Sequence, residues 1–209
     1  MGRRFVVERH RDPYYRAAQR DGLRSRAAFK LAFVAERFHL LRPGERVLDL
    51  GAAPGGWSIV AAGRVGPSGQ VVAVDLRPIE PLEGVEVLRG RVGDPRLTER
   101  LARTPFDIVL SDMSPRISGA YATDHARSVE LVRAGFALAA QVLRPGGAYV
   151  AKVFDGDLLE ELESGLAPSF ERLRRTKPPA SREASSELYI IGTGFHRSTL
   201  PAPGGSEAV

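Results

Sequence analysis

The sequence predicts an α/β protein built on a mostly parallel, seven-stranded sheet with one antiparallel strand. Three observations carry that expectation. Strand-like apolar runs alternate with helical stretches along most of the chain. The first run breaks into a glycine-rich loop that opens a helix, VLDLGAAPGGW over residues 47–57. The last two strand patterns have no helix-length spacer between them, so they should pair as a hairpin and turn one strand against the rest.

The elements follow in order. Ser25 is placed to cap a helix over 26–40, with Ala27, Leu31, Val34 and Phe38 on one apolar stripe and Lys30 at its edge. Strands are expected near 46–52, 70–76, 85–89, 106–112 and 147–154, with helices near 57–64, 95–103, 124–143 and 157–165 between them. The closing strands fall near 170–176 and 186–193, and the end of the chain, PAPGGSEAV, has the composition of a disordered tail. Altogether 209 residues, 43% of them hydrophobic and 26% charged, suit one compact domain over 26–197, flanked by an arm over 1–25 and a tail over 198–209.

Composition removes several chemistries. The absence of cysteine excludes disulfides, thiolate metal sites and cysteine nucleophiles. His10, His39, His125 and His196 lack ligand spacing and read as surface or cap residues, so no metal site is expected. The N-terminal stretch has no apolar signal core and no run approaches a membrane span, which predicts a cytoplasmic protein. Charge says more about partners. Residues 1–46 hold 12 Arg and Lys against 5 Asp and Glu, whereas the remainder holds 18 against 20. A basic segment interleaved with Tyr14, Tyr15 and Phe29, ahead of a nearly neutral body, is the footprint expected for nucleic acid.

The loop after the first strand defines a nucleotide-cofactor pocket, because glycines let backbone amides approach a ligand and the next helix points its unpaired N–H groups there. A dinucleotide loop needs glycine two residues after the first, but Ala53 holds that place and Pro54 follows, which discounts NAD and FAD. Asp49 before the loop and Asp75 at the end of VVAVDL suit a ligand with an amino acid end and a ribose end. S-adenosylmethionine has both.

Ligands bind beyond the carboxyl ends of parallel strands, where Asp75, Asp112 and Lys152 should converge. An antiparallel strand brings its beginning to the same rim, which adds Glu187, and Lys30 could reach in from the first helix. Among 30 basic residues only Lys30, Lys152 and Lys177 are lysines. Arginine stays protonated at any working pH, whereas a lysine can release its proton when buried or set beside another cation. Lys152 is therefore a candidate general base, with a strand-end lysine reaching for water as the plainer alternative.

Six stretches in order, DPYYRAAQRDGLRSRAAFKL, VLDLGAAPGGWS, VVAVDLRPIEPLEGV, VLSDMSPRISG, VAKVF and SSELYIIGTG, resemble the FtsJ family of ribose 2′-O-methyltransferases from about Asp12 to about Gly194. The resemblance implies a Rossmann-like, S-adenosylmethionine-dependent methyltransferase fold. It also implies a catalytic tetrad of Lys30, Asp112, Lys152 and Glu187, with cofactor contacts from Gly55, Trp57, Asp75 and Asp112. The implied reaction is methylation of a uridine ribose in the A-loop of large-subunit ribosomal RNA, within the assembled subunit, by a monomer. On this view Lys152 either takes the 2′-hydroxyl proton or stays charged and orients the hydroxyl. Trp57 is a pocket residue by the resemblance and a core residue by its place in the helix. One position departs from the family: Arg91 stands where an acid usually contacts the adenine amino group, leaving Asp94 to substitute or adenine to be held by backbone and apolar contacts. Phe29 or Phe33 could stack on an extruded base or pack on the sheet, and Arg116 is a candidate at the substrate mouth. A tRNA or cap 2′-O-methyltransferase and a noncatalytic RNA-binding assembly factor are the competing readings.

Overall fold

The computed structural model describes residues 27–180 and 186–197. The basic arm, the Ser25 cap and the tail lie outside the described residues. Helix α1 spans Ala27–Arg37, β1 Arg46–Leu50, α2 Gly56–Val65, β2 Gln70–Asp75, β3 Val85–Arg89, α3 Pro95–Ala102 and β4 Phe106–Ser111. The chain continues through α4 Tyr121–Val142, β5 Leu143–Phe154, α5 Leu159–Leu166, one 3₁₀ turn over Ala167–Ser169, β6 Phe170–Thr176 and β7 Glu187–Phe195.

The seven strands form one sheet in the order β3-β2-β1-β4-β5-β7-β6. Pairing is parallel from β3 through β5, and β7 runs antiparallel to both β5 and β6. The predicted fold class and the single reversed strand are those observed. The order reverses beside β1, whose neighbours are β2 and β4, and such a switch point opens a crevice at the strand ends.

Because both faces of the sheet are covered, the central strands are nearly continuous apolar runs, and alternate residues serve two separate cores. Val47, Val71, Ile108, Val150, Tyr189 and Ile191 pack on the side of α1 and α2. Leu48, Leu50, Val72, Val109, Tyr149 and Ile190 pack on the side of α4 and α5. Each fully buried aliphatic side chain contributes about 1.5–3 kcal/mol relative to leaving it in water.

Several expectations need correction. Helix α1 ends at Arg37 rather than 40, and His39 and Leu41 then adopt positive φ, 55° and 61°, to turn the chain toward β1. Its buried residues are Ala28, Lys30, Leu31, Val34 and Ala35, so the stripe is rotated and Lys30 sits within it rather than at its edge. Strand β5 starts at Leu143, directly after α4, instead of at 147. A register irregularity between Phe106 and Ile108 of β4 accommodates this early start: they pair with Leu143 and Ala148, and the intervening residues bulge. His125 is no surface residue. It is 4% exposed, accepts at Nε2 from the Leu158 amide (3.0 Å) and lies 2.9 Å at Nδ1 from the Phe154 carbonyl, tying α4 to the start of α5. With Nε2 accepting, the Nδ1–H tautomer satisfies both contacts.

Candidate active site

Residues from five elements meet where the parallel strands end. Strand parity explains the convergence. Lys152 on β5 pairs with Tyr189 on β7, and Glu187 is two residues earlier than Tyr189, so all three side chains face α1. Asp112 follows β4 in phase with Ile108 and Leu110, which pack on the same side. Lys152 Nζ lies 3.0 Å from Asp112 Oδ1 and donates to the Asp112 carbonyl at 3.0 Å. Lys30, 4% exposed, pairs with Glu187. The four residues expected to act together are therefore together, as two ion pairs.

Tyr189, which the sequence reading passed over, lies between the pairs. Its hydroxyl is 3.5 Å from Asp112 Oδ1, Lys30 Nζ sits 5.9 Å from its ring centroid, and the ring packs at 5.6 Å on Trp57. The signal was present in SELYIIG, since period-two alternation puts Tyr189 on the face of Glu187.

A cavity of about 660 Å³ adjoins the Lys152–Asp112 pair, and Gly51, Ala53, Asp75, Arg91 and Arg116 contribute to its walls. The glycine loop shapes one wall. Gly51 has φ +72°, and a Cβ there would come within 2.8 Å of Met113 Cγ. Gly55 has φ +105°, and a Cβ there would meet Leu82 at 2.7 Å, so only glycine fits either turn. Asp75 accepts from the Ala53 amide at 2.9 Å and the Arg77 amide at 2.8 Å, with Arg77 Nε 3.5 Å away. An ionised carboxylate has about four acceptor sites, which leaves capacity for a diol.

At three positions the structure decides between open alternatives. The Trp57 indole is 2% exposed, donates from Nε1 to the Ala27 carbonyl at 2.8 Å and belongs to the core beneath α1. Any ligand contact from this residue must come from its backbone amide in the first turn of α2. Asp94 caps α3 by accepting from the Arg96 amide at 2.9 Å, while Arg91 is the residue on the cavity wall. Phe33 is half-buried against the core of α1 and α2, which is the packing alternative rather than the stacking one.

Asp49 is fully buried and accepts from Ser58 Oγ at 2.6 Å; among the described residues, its Oδ1 alone is a buried side-chain polar atom without a partner. Burial pushes its carboxyl up to about 7, the Ser58 hydroxyl opposes this, and Asp112 and Asp75 push it further up by repulsion. A folded-state value above the unfolded one means that ionising Asp49 costs stability. The cost is absent below about pH 4, grows between pH 4 and 7, and is complete above 7. Asp49→Asn should therefore gain about 1–3 kcal/mol over the native protein at pH 8, with the gain vanishing near pH 4. Urea unfolding at the two pH values checks this, and a pH-independent difference would refute it.

A sheet of this order, with a glycine loop after β1 and an acidic residue closing β2, defines a Rossmann-like methyltransferase. The chain matches the FtsJ-like methyltransferase family over residues 23–195, and it belongs to that family. It is 44% identical over 200 residues to the ribosomal RNA large subunit methyltransferase E of Gluconobacter oxydans, covering 94% of this chain and 74% of that one. The protein of the same name from Archaeoglobus fulgidus is 46% identical over 188 residues, covering 89% and 97%. Among solved structures, a Plasmodium falciparum protein described as a ribosomal RNA methyltransferase superposes with a TM-score of 0.74 at 27% identity, covering 82% of this chain and 98% of that one. Among the described residues no helix is long and apolar enough to cross a membrane.

Proposed function

We propose that the protein transfers a methyl group from S-adenosylmethionine to the 2′-hydroxyl of a uridine ribose in the A-loop of large-subunit ribosomal RNA, acting as a monomer on the assembled subunit. The observation that carries the reading is the Lys152–Asp112 pair at the wall of the cavity, backed by the part-buried Lys30–Glu187 pair. The names of the relatives support the choice of RNA.

The cofactor fits what surrounds the cavity. Asp112 and Asp75 both repel the buried Asp49 carboxylate, so a ligand carrying a sulfonium and an ammonium would offset the negative charge gathered around the loop. Asp75 would accept the ribose hydroxyls, and Asp112 would lie near the reacting end. The Trp57 amide would receive the methionine carboxylate at the start of α2, with Gly55, whose own amide donates to the Ala52 carbonyl, leaving room for it beside the backbone. When bound, the cofactor supplies an electrophilic methyl group.

The protein then has two tasks, to hold the ribose oxygen in line and to take its proton. Lys152 Nζ, in its neutral form, would take that proton from the ribose oxygen, leaving the oxygen free to accept the methyl group that the bound donor would supply. Asp112 holds Nζ through its carboxylate and its carbonyl. The Lys30–Glu187 pair lies across Tyr189 from them, with Lys30 a second positive charge at the reacting end.

The test is transfer of labelled methyl to large subunits lacking A-loop methylation, with naked ribosomal RNA and tRNA in parallel. Label on one A-loop ribose is the expected result. Label on tRNA alone would move the substrate, and RNA binding without any transfer would leave an assembly factor. Arg91→Asp should tighten cofactor binding by about three- to tenfold, by restoring an acceptor on the wall where the adenine amino group is expected. Calorimetric titration reads this directly, and unchanged or weaker binding would refute the adenine role of that position.

A further inference from the structure

Beyond the tetrad, on the side away from the glycine loop, lies a second cleft of about 350 Å³ whose walls include Ile117, Tyr121, Phe154, Ser186 and Glu187. It shares Glu187 with the tetrad, and Phe154 is the cross-strand partner of Glu187, so its floor continues the surface that carries the lysines. The large hydrophobics exposed among the described residues are Leu76, Ile117 and Tyr121. Two of those three flank this one cleft, 66% and 61% exposed.

Neither wall is a loose tip. The segment bearing Ile117 is fastened by Asp124, whose carboxylate accepts from the Ser118 amide at 2.8 Å, the Ser118 hydroxyl at 2.8 Å and the Gly119 amide at 3.1 Å. The Tyr121 hydroxyl donates to the Asp155 carbonyl at 2.6 Å, which fixes the ring while leaving it open to solvent. The fold thus keeps an aliphatic and an aromatic surface in water and holds them there with four hydrogen bonds. Rigid apolar surfaces of this kind are stacking platforms for unpaired bases.

Covalent geometry names the occupant. If the acceptor 2′-oxygen is at Lys152, as proposed above and on which this inference rests, its base is on the adjacent C1′ carbon and must lie within one sugar ring of the tetrad. The larger cavity on one side is taken by the methyl donor. We propose that the cleft between Ile117 and Tyr121 seats the base of the acceptor nucleotide, gripping it by apolar and aromatic contact so that the ribose is presented to Lys152.

The test uses the whole protein and two stem–loop RNAs of A-loop sequence, one intact and one lacking only the base at the acceptor position, its 2′-hydroxyl retained. Tyr121→Ala and Ile117→Ala should each weaken the intact RNA by about tenfold or more in Kd and KM, and the abasic RNA by less than about twofold. Tyr121→Phe, which keeps the ring but loses its bond to the Asp155 carbonyl, should fall between alanine and the native residue on the intact RNA, and S-adenosylmethionine affinity should not move. Equal weakening of both RNAs would overturn the proposal, because the side chains would then act on the backbone or on the fold. No weakening of either would overturn it as well. Failure of the native protein to bind or methylate these RNAs and also large subunits lacking A-loop methylation would instead remove the functional reading beneath it.

Discussion

Lys152→Ala should reduce methyl transfer by about a thousandfold or more while leaving S-adenosylmethionine affinity within about twofold of the native value. General-base assistance contributes about 10²–10⁴-fold, and loss of the residue that also orients the hydroxyl adds to that. The fold should tolerate the change, because the Asp112 side chain left behind is 20% exposed and can be met by water. Lys152→Arg separates proton transfer from simple charge. Arginine keeps the positive charge but cannot give up its proton, so this variant should be nearly as inactive as alanine. Substantial activity in the arginine variant would make Lys152 an orienting cation, and near-normal turnover in the alanine variant would remove it from the chemistry. Single-turnover methyl transfer alongside calorimetric cofactor titration distinguishes these outcomes.

Trp57→Ala should cost about 3–5 kcal/mol of folding stability, the usual range for truncating a buried large aromatic. The indole fills space beneath α1 against Tyr189, and its loss also removes the Nε1 hydrogen bond to the Ala27 carbonyl. For a chain of this size that corresponds to a drop of roughly 10 °C in Tm. Trp57→Phe should fall between alanine and the native residue in Tm and bind S-adenosylmethionine like the native protein, since the amide in the first turn of α2 is unchanged. A phenylalanine variant of native stability that loses the cofactor would place the indole in the pocket. Thermal unfolding and cofactor titration on the same preparations decide between the two.

These two residues also mark what the sequence could reveal. Lys152 was readable because strand parity and the hairpin topology are local patterns that place side chains on a face, and the few lysines in an arginine-rich chain singled it out. The direction of Trp57 was not readable, because a residue at the start of a helix contributes backbone to one side and side chain to the other. Lys30 is similar. A lysine inside an apolar stripe is expected to swing to its edge unless a partner holds it, and that partner, Glu187, is 157 residues away. Asp94 reads from the sequence only as a substitute acid for the adenine, and its role as the cap of α3, which suits Asp-Pro at a helix start, emerges once that helix is placed. The buried His125 and the early start of β5 depend on tertiary contacts at Phe154, Leu158 and the β4 bulge, which no local period records.

The Lys30–Glu187 pair joins the first described helix to the last strand of the sheet. Seen from the ribosome that makes it, the protein builds its cavity walls between residues 51 and 152 but cannot pair Lys30 until β7 has emerged and inserted beside β5. A nascent or truncated chain could therefore carry a cofactor cavity and still lack one half of the tetrad. On the function proposed above, competence for chemistry would therefore wait for β7, and a copy lacking that strand would hold the methyl donor without being able to use it.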